Sequence, residues 1–522
     1  MSARPDASAS PLPAAPRLVD SLRAALGARG PVTLIETHIS WLLLVGDDAY
    51  KLKKPVTLDF LDFAQPEQRR TACEEELRIN RRAAPDLYLG VLPVTGTPAA
   101  PRLGGAAAEA IDWVVHMRRF PDGALLAERA ARGKLRAAHI DALAGEIAAF
   151  QAQAAVAPAG SEYGRPAELA QLAQDNFTPI HAVLASSELA ATLRDLQHWT
   201  QAESARLAPC MAARRAQGRV REGHGDLHLG NLLWLDGRAR LFDAIEFNPR
   251  LRWIDVACDI AFLFMDLHAH EQPALAWRFL NAWLERTGDF GALPRLAFDA
   301  VYRALVRAKV AALRLAQGDA AARAEVERYV RLAARLAAPR TPWLALTMGV
   351  SGSGKSSQTQ SLIEQRGLIR LRADVERKRL FGLAPEAASA GVPGGIYGEE
   401  VSDRVFERLR ALAQATLAAG YPVLVDATFI RQARRAPFIA LAEAHGWPWR
   451  ILTFDAPAAV LRERVRRRHA AGGDASEADV AVLDRQLAQR EPLTPQETAQ
   501  ALRIDTTAPV DWAHWQDALP GG

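Results

Sequence analysis

The stretch that most constrains this chain is Trp343-Leu-Ala-Leu-Thr-Met348, which runs directly into Gly349-Val-Ser-Gly352-Ser353-Gly354-Lys355-Ser356-Ser357. It reads as an apolar strand, a glycine-rich loop of the pattern GxxxxGK[ST], and a helix, in that order. The glycines let the backbone N–H groups of 349–357 curl around phosphate oxygens at a helix N-terminus. Lys355 would then reach the outer phosphates, and Ser356 would hold Mg2+. Beyond residue 342, apolar runs at 343–350, 369–373, 422–426 and 450–455 alternate with helical stretches, which predicts a parallel α/β sheet with helices on both faces.

Three further segments of this half carry charge where a parallel sheet presents ligands. Arg372-Ala-Asp374-Val-Glu-Arg377 follows a strand, so Asp374 faces the crevice at the strand ends. It is a candidate general base, with Arg377 one turn on to steer an anion; an N-cap on a basic helix is the competing reading, and the two roles are compatible. Val423-Leu-Val-Asp426 puts a second carboxylate at a strand end, a candidate for the Mg2+ shell. Arg464 and Arg468, four apart on one helix face, could fold over a phosphate, or form a solvated basic face.

The other half centres on His224-Gly-Asp226-Leu-His228-Leu-Gly-Asn231, followed by an apolar strand, an Asp-Gly turn, and a second strand ending at Asp243. The turn chemistry predicts a hairpin. An Asp, an Asn five residues later, and an Asp closing the hairpin have the spacing of a catalytic base and two Mg2+ ligands in protein kinases. Asp226 is therefore assigned as base, with Asn231 and Asp243 as metal ligands. Upstream, Ala-Tyr-Lys51-Leu-Lys53-Lys54 places Lys51 and Lys53 on one strand face. A helix opened by Pro66 offers Glu75 and Glu76 as partners. Either lysine can contact the α/β-phosphates and either glutamate can hold it, with Lys53 in the better apolar context. No GxGxxG precedes this strand.

Composition sets outer limits. Lysine occurs only seven times among 64 basic residues, and four of the seven (Lys51, Lys53, Lys54, Lys355) fall in the two segments read as phosphate-contacting. A compact ammonium suits a phosphate cradle better than a rigid guanidinium fork. Cys73, Cys210 and Cys258 show no metal or disulfide spacing, which points to a cytoplasmic protein. No apolar run approaches a membrane span. A net charge of +4 gives little support to a nucleic-acid partner. Residues 1–16 read as a disordered tail, 17–338 as one α+β domain (lobes about 30–120 and 121–338), and 343–522 as the α/β domain.

The segments YKLKKP, CEEELRINRR, Met117-Arg-Arg119-Phe, HGDLHLGN and FDAIEF resemble the aminoglycoside phosphotransferases, which are small-molecule kinases of two-lobed protein-kinase-like fold. The later half resembles P-loop kinases of the zeta-toxin and polynucleotide-kinase type. The whole chain is similar to bacterial fusions of the two. The resemblance implies ATP and Mg2+ at both sites and an unidentified hydroxyl-bearing acceptor. In the matching kinases, Asp374 is the general base and Arg464 and Arg468 are lid arginines. Three readings stay open: two active kinases, one kinase with a nucleotide-dependent switch, or a nucleic-acid 5′-hydroxyl kinase.

Overall fold

A computed structural model describes residues 14–58, 61–392, 395–471 and 475–521. Residues 1–13 of the expected tail lie outside the described residues, and from Ala14 the chain is helical (α1, Ala14–Leu26). The chain packs as two units. One takes the chain up to Leu172 with Met211–Asp266; the other takes Ala173–Cys210 and everything from Leu267 onward.

The first unit is built on an antiparallel sheet of order β1-β2-β3-β8-β6-β7. Its strands are β1 (Val32–Glu36), β2 (Ser40–Val45), β3 (Asp48–Lys53), β6 (Tyr88–Thr97), β7 (Ala100–Leu103) and β8 (Ala110–Arg118), and the short ribbon β4 (Thr57–Leu58) and β5 (Leu61–Asp62) follows β3. Leu18, Val19, Leu22 and Leu26 of α1 bury against Leu43, Tyr50 and Val114 on one face of the sheet. Helix α2 (Pro66–Asn80) packs on β8, with Pro66 in its first turn where a missing N–H is harmless.

The second lobe of this unit contains α3 (Leu126–Ala131), α4 (Ala137–Gln153), all but the last two residues of α5 (Pro166–Gln174), and the end of a long helix α7 (Ala190–Ala216). It also holds the ribbon of β9 (Val220–Glu222) and β12 (Trp253–Asp255), the short α8 (Pro249–Arg252), and the first eleven residues of α9 (Val256–Ala269). The hairpin expected from the Asp-Gly turn is β10 (Leu232–Leu235) and β11 (Arg238–Leu241); Asp236 and Gly237 both take positive φ, 51° and 74°, as a tight hairpin turn requires.

The second unit holds the parallel sheet. Its order is β14-β15-β13-β16-β17, for β13 (Leu344–Met348), β14 (Ile369–Arg372), β15 (Val423–Asp426), β16 (Trp449–Asp455) and β17 (Ala501–Asp505), and every pairing is parallel. Leu424, Leu452 and Phe454 face α13 (Lys355–Arg366) and Trp512 across one core. On β14 and β15 lies α15 (Glu399–Ala418). The remaining helices are α6 (Phe177–Leu184), α10 (Pro273–Thr287), α11 (Leu293–Ala316), α12 (Ala322–Ala337), α14 (Ala373–Leu380), α16 (Gln432–Ala444), α17 (Ala458–Ala471), α18 (Val480–Ala488) and α19 (Pro495–Ala499).

The sequence division near residue 338 thus falls inside this second unit. The reason is α10, which covers the edge of the parallel sheet. Asn281 donates from Nδ2 to the Leu368 carbonyl (2.9 Å) and accepts the Arg370 N–H at Oδ1 (2.7 Å), closing backbone groups that an edge strand would leave unpaired. Arg278 pairs with Glu364 (2.7 Å), and a Cβ at Gly367 would lie 2.6 Å from the Trp277 ring.

Candidate phosphoryl-transfer sites

In the first unit, β3 and α2 bring three charges together, and the loop after β11 adds two more. Lys51 Nζ lies 2.8 Å from Glu76 Oε1 and 2.5 Å from Asp243 Oδ1. Lys53 Nζ lies 2.6 Å from Glu76 Oε2 and also pairs with Glu246. Glu76 therefore takes both lysines, one on each oxygen. Glu75 stands about 100° further round the helix and instead pairs with Arg78 (2.7 Å) and Arg252. Lys53 is wholly buried, whereas Lys51 keeps some exposure and touches Asp243, which is about 41% exposed.

The electrostatics follow from burial set against this pairing. Burial pushes the Glu76 carboxyl up, but Lys51 and Lys53 outweigh it and bring it down to about 2. Lys51 is held well above the ordinary lysine value: burial works against its charge, and Asp243, Glu76 and Glu246 outweigh it. Glu246 is pushed up, chiefly by burial, with Lys53 opposing.

The loop 224–231 is stitched to this cluster. His224 Nε2 pairs with the Phe242 carbonyl (2.9 Å), and the Ile245 N–H donates to the His224 carbonyl (3.0 Å). Asn231 Nδ2 donates to Asp226 Oδ2 (2.9 Å) and to the Asp226 carbonyl (3.0 Å), while His228 Nε2 is 3.2 Å from Asp226 Oδ2. Gly225 has φ +82°, and a Cβ there would lie 2.7 Å from the Leu251 carbonyl, so the loop requires glycine. Asp243 itself sits at φ +60°, a costly backbone for a non-glycine residue. Two groups hold it there: Tyr88 Oη accepts the Asp243 N–H (3.0 Å), and Asn80 Oδ1 accepts the Ala244 N–H (2.9 Å).

Sequence reasoning missed Tyr88, Asn80 and two aspartates of α9. Asp259 accepts the N–H groups of His224 (2.8 Å) and Gly225 (2.9 Å), and Asp266 accepts that of Leu229 (2.8 Å). A signal was present. Two aspartates seven apart in the otherwise apolar run VACDIAFLFMD share one helix face, and buried carboxylates require donors.

In the second unit the glycine loop lines a cavity of about 810 Å³ with Lys355, Ser356, Ser357, Asp374, Arg377, Asp426, Arg464 and Arg468, so all these candidates come together. Lys355 Nζ donates to the Gly349 and Val350 carbonyls (2.9 and 3.0 Å). Side chains are excluded along the loop: a Cβ at Gly349 would meet Ser353 Oγ at 2.6 Å, and one at Gly352 (φ +80°) would meet the Leu461 carbonyl at 2.8 Å. Arg377 is buried, donating to the Ile396 carbonyl (3.0 Å) and Ser402 (3.3 Å) under the Tyr397 ring, and its Nε has no hydrogen-bond partner.

Burial pushes Asp374 above the usual carboxylate value, against the pull of Arg372 and Arg377. Burial likewise lowers Lys355, with Asp426 and Asp374 opposing. Arg464 is fixed by Thr506, through its hydroxyl (3.0 Å) and carbonyl (2.6 Å), a role the sequence did not suggest for that threonine. Arg468 donates to the Ala478 carbonyl (3.0 Å).

For Mg2+, the test is whether oxygen groups stand available. Among the described residues no three His, Cys, Asp or Glu side chains gather as a metal cluster. Mg2+ bound beside phosphates takes only one or two carboxylates from protein. Asp426 meets that demand: it is buried, and Oδ2 has no hydrogen-bond partner. The half-exposed Asp243 does so in the first unit, one residue after Phe242, whose N–H donates to the Asn231 carbonyl (3.2 Å).

A family model described as an AAA domain matches residues 344–493. An uncharacterized protein of Mycobacterium tuberculosis strain H37Rv is 31% identical over 395 residues, covering 76% of this chain and 78% of that protein. The chain belongs to the same family. Its Mycobacterium bovis member aligns with the same values. Among solved structures, a choline/ethanolamine kinase family protein from Mesorhizobium loti aligns with 62% of this chain and 96% of its own, at 17% identity and TM-score 0.39. A gluconokinase from Sinorhizobium meliloti covers 35% of this chain and 92% of its own, at 22% identity and TM-score 0.24. The family member described here combines a six-stranded antiparallel sheet in its first unit with a five-stranded parallel sheet, behind a glycine-rich phosphate loop motif, in its second. Among the described residues, no helix is long and apolar enough to cross a membrane.

Proposed function

We propose that the protein is a cytoplasmic phosphotransferase with two ATP sites, each moving the γ-phosphoryl group of ATP to a hydroxyl of a small molecule or nucleotide. The observation that carries this reading is Lys51 held between Glu76 and the half-exposed Asp243, whose chain neighbour Phe242 donates its N–H to the carbonyl of Asn231, the partner of Asp226. Lys51 contacts the phosphates; Lys53, sealed between Glu76 and Glu246, keeps the strand and helix in register. Asp226 accepts the proton of the acceptor hydroxyl as its oxygen bonds to phosphorus and ADP departs. Asn231 and Asp243 hold Mg2+.

In the second unit the backbone N–H groups of 352–357 and Lys355 cradle the phosphates, with Ser356 and Asp426 as Mg2+ ligands. Asp374, whose carboxyl burial keeps ready to take a proton, is the base. Arg377 orients the acceptor, and Arg464 and Arg468 close over the transferring group. At either site Mg2+ supplies charge neutralisation on the phosphate oxygens when bound. Residues 17–338 carry the sequence of the first kinase and 343–522 that of the second.

The test is stoichiometry. Calorimetry with a non-hydrolysable ATP analogue and Mg2+ should count two sites per chain, falling to one in Lys51→Met and one in Lys355→Met. Two sites kept in either variant, or one site still kept in the double variant, contradicts the reading.

A further inference from the structure

Asp426 sits at the end of β15 with Oδ2 buried and without a hydrogen-bond partner, yet Arg372 Nε is 3.9 Å from that oxygen. A guanidinium so close to a bare carboxylate would ordinarily close on it, since a charge-assisted bond forms at 2.7–2.9 Å. What holds Arg372 back comes from outside the P-loop sequence. Glu285 of α10 lies 3.4 Å from Arg372 Nη1 through Oε2, and 2.9 Å from Arg370 Nε through Oε1. The Glu285 carbonyl also accepts Arg379 Nη2 (2.6 Å), and Gly288, at φ +67°, leaves room for that guanidinium; a Cβ there would lie 2.6 Å from Nη1. One residue of α10 therefore grips both the N-cap residue of α14, Arg372, and its last turn, Arg379.

We propose that Glu285 is a positioning residue that holds Arg372 off Asp426 and so keeps Asp426 Oδ2 available to a divalent cation bound with nucleotide. The inference rests on the reading of Asp426 as a Mg2+ ligand. Groups that orient a metal's own ligands typically carry 10–100-fold of metal affinity. Besides Glu285, Arg372 faces Asp426, 3.9 Å away, and acts electrostatically on Asp374, two residues along the chain. Without the Glu285 charge, the guanidinium closes on Asp426 and competes with the cation.

The test measures binding of a fluorescent ADP analogue with and without Mg2+, in the full-length chain carrying Lys51→Met to silence the first site. Mg2+ should tighten binding in this background, and Asp426→Asn should abolish the enhancement. Glu285→Gln should lower it about 10-fold, and Glu285→Gln with Arg372→Gln should restore it, since the competing cation is gone. If Asp426→Asn keeps the enhancement, the metal reading beneath the inference falls. If Asp426→Asn loses it but Glu285→Gln keeps it, Glu285 does not position Arg372. A double variant as weak as Glu285→Gln shows a merely structural role and overturns the inference. Should Glu285→Gln fail to fold, Arg372→Gln alone decides: the enhancement is kept or grows if Arg372 is a competitor, and its loss overturns the proposal.

Discussion

Lys51 and Asp243 lie 192 residues apart in the chain and 2.5 Å apart in space. Lys53, on the same strand face, meets only buried acids. The two lysines should therefore fail differently. Lys51→Met is expected to cut first-site turnover by about 100-fold or more with little change in melting temperature. Lys53→Met leaves buried Glu246 and one oxygen of Glu76 without their cation and should cost about 3–5 kcal/mol of stability. Steady-state kinetics and thermal melts on both variants check the contrast.

Asp226 and Asn231 share a hydrogen bond, so their substitutions separate proton transfer from loop geometry. Asp226→Asn should lower kcat by about 100- to 10,000-fold while the KM for ATP holds. Asp259→Asn, which weakens two backbone hydrogen bonds at His224 and Gly225, should instead lower the melting temperature and raise KM. Kinetics on the two variants beside wild type would show the split.

Acid should weaken the protein in two separate windows. Burial of His268 lowers it from 6.5 to about 4, helped by Arg340 and Arg335, so the unfolded chain binds a proton that the folded chain refuses. Stability from this group is complete above pH 6.5 and falls towards pH 4. Glu76, depressed from 4.5 to about 2, contributes stability that is complete above pH 4.5 and is lost below it. Melts from pH 7.5 to 3 should show the first slope shrink in His268→Gln and the second shrink in Glu76→Gln.

Because α10 covers the edge of β14, a fragment starting at Trp343 loses the partners of the Leu368 and Arg370 backbone groups. A fragment starting at Leu267 keeps them. The shorter piece should melt lower and aggregate more readily through its bare edge, which differential scanning calorimetry and light scattering would register.

What was legible in the sequence was contiguous. The P-loop, each of four of the five strands around it, the Asp236-Gly237 hairpin, and the Asp226–Asn231–Asp243 spacing are short local patterns, so local rules reach them. The choice of Glu76 over Glu75 was not, because adjacent helix positions differ by a rotation that only packing on β8 sets. Glu285, Asn281 and Thr506 escaped for a stronger reason: each works on a partner 42–89 residues away, and nothing local distinguishes it from an ordinary polar residue.

The most direct test offers γ-labelled ATP and a panel of sugars, aminoglycosides, nucleosides and oligonucleotides to wild type, Asp226→Ala, Asp374→Ala and the double variant. Two separate sites predict that each single variant loses a different labelled product and the double variant loses both. If both single variants label every acceptor as wild type does, the assignment of the two sites is contradicted.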